Sequence, residues 1–195
     1  IVWSTPTGYI TPDADSELIL SGGVNATWGH TKTGVGTLRI VDKPYLCGYQ
    51  LTQNGGCIVF DAEGCTFGGR DHTEGFVLSS SDKTPNRLEF ARSGCFGTNT
   101  ISFVLTGSGV STIEMNSTVQ RIGRFKGWGA ANAACSVHGD YPARLEVTGG
   151  VRPGMASEMV AQVMMMTNSV QMTGCLSLAF LGDLAPQGNA DYHGL

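Results

Sequence analysis

Short stretches of alternating polar and apolar residues recur along this chain, separated by glycine-rich breaks. SELILSG (16–22), GTLRIVD (36–42), GCIVFDA (56–62), GFVLSSS (75–81) and NRLEFAR (86–92) come first. TISFVLTG (100–107), STIEMNSTVQRIG (111–123), ARLEVTG (143–149) and SLAFLGD (177–183) follow. Several alternate strictly: Leu38 and Ile40 against Arg39 and Val41, Leu88 and Phe90 against Glu89 and Ala91, Leu145 and Val147 against Glu146 and Thr148. Period two marks a half-buried strand, and a polar alternate face is typical of antiparallel sheets with one side on the core. About nine or ten such runs, with no regular alternation of helices, predict an all-β fold. The expected form is an antiparallel β-sandwich, Ig-like or jelly-roll-like, with little helix. The one helical pattern, PGMASEMVAQVMMMTNS (153–169), fits a strand as well through Val160, Val163, Met165 and Val170, and its β-rich context favours the strand.

No charged or Pro/Ser-rich linker divides the chain, so residues 1–195 read as one domain. The tail APQGNADYHGL (185–195) has loop chemistry and reads either as a flexible end or as the start of a linker, and the expectation is that the domain is the N-terminal part of a longer protein. Composition narrows the class. With 41% hydrophobic residues, only 14% charged and 28 glycines, a charged disordered tail, a coiled coil and a helix bundle are excluded. The net charge is −4, and the densest basic stretch, RIGRFKG (121–127), reads as a solvated strand face. Nucleic acid is therefore not an expected partner. No apolar run approaches the roughly 18 residues of a membrane helix, so no membrane insertion is expected.

Cys47, Cys57, Cys65, Cys95, Cys135 and Cys175 include no C-x-x-C pair. An even number of widely spread cysteines in a lysine-poor chain predicts disulfides and an oxidising, extracellular compartment. Cys57 and Cys65 are near enough in sequence to close a hairpin loop and are the first pair to expect. The equal spacing of Cys95, Cys135 and Cys175 is not a repeat, because the flanks SGCFGTN, AACSVHG and TGCLSLA share little else.

The densest chemistry lies in GCIVFDAEGCTFGGRDHTEG (56–75). Asp71, His72 and Glu74 are metal-capable, with His30 or His138 as distant partners. The simpler reading is a polar turn bent at Gly68 and Gly69, so no metal and no cofactor are expected. No G-x-S-x-G elbow or G-D-S-G-G stretch is present, although the chain begins Ile-Val as processed trypsin-like proteases do. Sixteen acids without a geometry do not make a glycosidase. The expectation is a non-enzyme. Trp3, Trp28 and Trp128 each sit in polar or glycine-rich company, in IVWSTP, ATWGHT and KGWGAAN. A wet aromatic beside hydrogen-bonding residues is the chemistry of sugar recognition. The candidate ligand-binding residues are Trp128 and Trp28, with Arg70, Asp71, His72 and Glu74 as the polar group. NAT (25–27) and NST (116–118) are glycosylation sequons.

A β-rich, charge-poor, cysteine-bearing chain of this size resembles the receptor-binding domain of bacterial chaperone–usher fimbrial tip adhesins. NAACSV (132–137) is similar to the segment around the first cysteine of fimbrial subunits. The resemblance implies a β-sandwich at the fimbrial tip, a host glycan or glycoprotein ligand, a following pilin domain and pilus subunits as partners. It assigns no site residue. The runner-up reading is a virion surface or spike domain, and the third a secreted carbohydrate-active hydrolase.

Overall fold

The computed structural model describes residues 1–3, 8–68, 75–81, 83–96, 102–107, 109–122, 124–127, 134–147, 163–164 and 169–180. Among them the chain is all β, with no helix. Every pairing between its strands is parallel. The fold is a parallel β-solenoid, which corrects the antiparallel sandwich.

Each coil contributes strands to three faces. Face 2 is a seven-stranded sheet: Gly8–Ile10, His30–Lys32, Leu51–Gln53, Phe76–Ser80, Ser102–Gly107, Arg124–Gly127 and Val163–Met164. Face 3 is a second: Glu17–Leu20, Thr37–Val41, Gly56–Asp61, Asn86–Phe90, Val110–Glu114, Ala134–Gly139 and Ser169–Gly174. Face 1 is split. Val2–Trp3, Val24–Ala26, Tyr45–Cys47 and Thr66–Phe67 form one sheet, and Val119–Ile122, Arg144–Val147 and Ser177–Phe180 another. Between them stands a single bridge, Cys65 to Phe96. The buried Gln120 carboxamide helps join the halves: its Nε2 donates to Arg92 O at 2.6 Å and its Oε1 accepts from Cys95 N at 3.1 Å.

The alternation read from the sequence is correct residue by residue where the side chains are described. Leu38, Ile40, Leu88, Phe90 and Leu145 point inward and are buried. On face 3 the parallel register stacks like on like: Leu38, Ile58, Leu88, Ile113 and Val137 form one apolar column. Phe60, Phe67, Phe76, Phe90 and Phe96 close the middle of the core, with ring centroids 5.2–6.4 Å apart among the contacting pairs. Alternation fixes which side chains face inward. It does not fix strand direction, because period two belongs to parallel and antiparallel strands alike. The strand reading of 153–169 holds at Val163–Met164; residues 153–162 and 165–168 lie outside the described residues.

The disulfide expectation is overturned as well, since all six cysteines are free thiols. Cys57 and Cys65 do not close a hairpin because the chain runs on through an extended strand and a corner. Cys57 shares the outward column of Thr37 and Arg87, whereas Cys65 is buried in the core. Cys47 Sγ donates instead to Trp28 O at 3.1 Å, and Cys95 Sγ to Arg92 O at 3.0 Å. The resemblance to fimbrial adhesin domains implies a sandwich, and this solenoid is not one.

Candidate functional site

The sequence ATWGHT places Trp28 at the corner between faces 1 and 2. Ala26 pairs with Cys47 and His30 with Leu51. Both pairs are 21 residues apart, so the corner residue Trp28 lies one coil before Tyr49. Hydrogen bonds join the two corners: Gly48 N donates to Ala26 O at 2.7 Å, and His30 N to Gln50 O at 3.1 Å. The glycines allow the close approach. A Cβ on Gly29 would lie 2.8 Å from Gln50 O and 3.0 Å from Tyr49 Cδ1, and one on Gly48 would lie 2.7 Å from Thr27 O. Distances under 3.0 Å to backbone oxygen force the chain apart, so side chains are excluded at Gly29 and Gly48 and the aromatics beside them turn outward. Trp28 is 47% exposed and Tyr49 45%.

Beside this corner the outward positions of face 2 carry Tyr9, Thr31 and Thr52 in register. Gln50 Nε2 donates to Thr52 Oγ1 at 3.1 Å. No charged residue occurs in 27–29 or 48–50. These two turns and the flanking column offer the rings of Trp28, Tyr49 and Tyr9, two threonine hydroxyls and a carboxamide.

The other sequence-predicted residues do not join it in the described structure. Trp128 lies outside the described residues, as do Arg70, Asp71, His72 and Glu74. The strands that flank 69–74, Thr66–Phe67 and Phe76–Ser80, belong to faces 1 and 2. Trp3 forms part of the first strand of face 1. The proposed distant ligands are apart: His30 is buried with its Nδ1 against the Tyr45 hydroxyl, while His138 stands on face 3 at 3.8 Å from Asp140. Among the described residues no three His, Cys, Asp or Glu side chains gather as a metal site.

Comparison with family models, curated proteins and solved structures finds no match.

Sequence reasoning missed a second cluster, inside the corner between faces 2 and 3. Lys32 is fully buried there. Its ammonium donates to Gly34 O at 2.8 Å, Gly36 O at 2.6 Å and Gly55 O at 2.8 Å. A Cβ on Gly56 would lie 2.6 Å from both Gly34 O and Gly36 O, and the backbone there has a φ of 65°, which together call for glycine. Around it Gln53 Nε2 donates to Gly56 O and Arg87 O, both at 2.8 Å, and Asn86 Nδ2 donates to Gln53 O at 3.1 Å. The adjoining TGVGTLR (33–39) reads in sequence as a hairpin turn; the only signal was a lysine on the inward phase of a strand. Burial pushes the Lys32 ammonium down to about 8. Burial also raises the thiols, Cys65 to about 11 and Cys95 and Cys135 to about 12. A thiol held protonated is a poor nucleophile, so none of these three is set up for covalent catalysis.

Proposed function

We propose that this chain is an extracellular recognition domain that binds a host glycan or glycoprotein and turns nothing over. The observation that carries the reading is the outward pair Trp28 and Tyr49, half-exposed at the same corner of adjacent coils. Large aromatics exposed in a row on a surface otherwise rich in hydroxyl and amide groups present apolar ring faces with polar groups around them. Sugar rings have the matching character, with C–H faces and hydroxyl rims. Recognition on such a surface draws on stacking and hydrogen bonds, and long-range steering adds little.

A glycan array followed by titration calorimetry tests this directly. The wild type is expected to bind one class of glycan, and Trp28→Ala to weaken that binding about thirtyfold while circular dichroism stays β-rich. Unchanged affinity in the folded variant removes Trp28 from the site. A wild type that binds nothing on a broad glycan and glycoprotein panel removes the reading itself.

A further inference from the structure

Building on the glycan reading, we infer that Cys47 is a positioning residue of the corner site: its thiol holds the Trp28–Gly29 peptide and so sets the pose in which Trp28 meets a sugar. Cys47 ends the face 1 strand Tyr45–Cys47, on its inward phase, and is buried. It pairs with Ala26, two residues before Trp28. Its Sγ donates to Trp28 O at 3.1 Å and lies 3.7 Å from Gln50 O, so one thiol stands beneath the corners of two successive coils. Burial raises this thiol from its ordinary value, so at neutral pH it keeps the proton that it donates.

The two carbonyls depend on the thiol to different degrees. Gln50 O also accepts from His30 N at 3.1 Å. Among the described residues, the thiol is the donor to Trp28 O. A carbonyl turned inward without a donor is costly, and the residue after Trp28 is a glycine. Glycine accepts backbone angles that other residues resist, so the Trp28–Gly29 peptide is the one in this turn that can most easily turn over and take its carbonyl to water. That movement changes ψ at Trp28, and the allowed rotamers of a side chain depend on its backbone angles. The bonds from Gly48 N to Ala26 O and from His30 N to Gln50 O fix the two ends of the turn. The thiol fixes its middle, where the exposed indole is attached.

The test makes Cys47→Ser, Cys47→Ala and Cys47→Val in the whole chain, with circular dichroism to check that each keeps the β-rich fold. Serine keeps a donor. Alanine and valine remove it and change the side-chain volume in opposite directions. Two readouts are taken: the NMR signal of the Trp28 indole N–H, assigned with Trp28→Phe, and calorimetric titration with the glycan that ranks first on the array. In Cys47→Ser the Trp28 signal should stay at its wild-type position and affinity should hold within about twofold. In Cys47→Ala and Cys47→Val that signal should shift or split while the Trp3 signal stays. Affinity should then fall about tenfold, as expected when about a tenth of the molecules keep the competent pose. An unmoved Trp28 signal with unchanged affinity in the alanine and valine variants would overturn the inference and leave the glycan reading intact. So would a serine variant that loses binding as the other two do, because packing and not the donor would then be at work. A wild type that binds no glycan would overturn the glycan reading, and with it the site that Cys47 positions, whatever the indole signals show.

Discussion

Two corners of the same coils solve opposite problems. Between faces 1 and 2, Gly29 and Gly48 bring successive turns together and the aromatics Trp28 and Tyr49 stand outside. Between faces 2 and 3, the turn bends so that the carbonyls of Gly34, Gly36 and Gly55 point inward, and a lysine lies inside to meet them. The usual partition, apolar inside and polar outside, is reversed at both. The reversal has different origins. At the inner corner the backbone demands a donor, since buried carbonyls without one are costly. At the outer corner nothing in the fold demands an aromatic. An exposed ring that the packing does not require is the better candidate for recognition.

The sharpest way to break this contrast is Lys32→Met. The side chain stays unbranched, is one atom shorter and loses its charge, and three main-chain acceptors lose their donor at once. No second substitution can remove those acceptors, because they belong to the backbone. A charged hydrogen bond contributes more than a neutral one, and an orphaned buried carbonyl costs about 1–3 kcal/mol. The expected loss is about 3 kcal/mol or more, read as a lower urea midpoint. An unchanged midpoint would mean that water or a shifted turn satisfies the carbonyls, and the inner corner would then be no more demanding than the outer.

The titration of Lys32 gives a smaller effect with a definite sign. Its folded value of about 8 lies below the ordinary 10.5. Between those values the unfolded chain holds a proton that the native chain has released, so stability rises with pH across that window. The slope is at most about 1.4 kcal/mol per pH unit for one proton. The thiols oppose it. Cys65, Cys95 and Cys135 have folded values raised from 9.0 to about 11, 12 and 12. Their contribution is full below about pH 9 and is lost as pH rises through those folded values. Denaturation midpoints should therefore rise slightly from pH 8 to 9 and fall beyond. The rise should vanish in Lys32→Met and the fall should persist. A rise that survives the substitution would assign it to another group.

How far these corners could be read from the sequence differs with the kind of contact. The inward residues of the strands were legible, because Leu38 and Ile40 or Leu88 and Phe90 carry their own alternation. Strand direction was not, because it depends on how each run connects to the next. The repeat that would have revealed the coils is one of position and not of identity. Leu38, Ile58, Leu88, Ile113 and Val137 share a column at unequal sequence spacing, since some later coils carry longer corners. Equal spacing is no guide either, as the unlike flanks of Cys95, Cys135 and Cys175 indicate: Cys135 lies on a face 3 strand and Cys95 at a corner. Trp28 was legible as a wet aromatic from its glycine and threonine neighbours. Tyr49 was not, because only the stacking of coils brings it beside Trp28. Lys32 was missed because a lysine in a glycine-rich turn is ordinarily exposed.

The smallest expected effect bears on the outer corner itself. If the fold does not require Trp28 and Tyr49, truncating them should hardly change stability. Each ring is nearly half exposed, so Trp28→Ala and Tyr49→Ala remove contacts on one side only and leave no closed cavity. The loss should stay below about 1 kcal/mol for each, whereas Phe60→Ala at the centre of the aromatic core should cost about 3–5 kcal/mol. Adjacent side chains couple, so the double variant matters most. If the rings brace one another across the coils, removing both should cost less than the two single losses together, because the first substitution already breaks the brace. If each stands alone on its glycine-tightened turn, the losses should add. Urea denaturation of the three variants separates these cases. A loss of several kcal/mol from either single substitution would make the aromatics part of the scaffold, and the outer corner would then resemble the inner one, with its side chains chosen by the backbone.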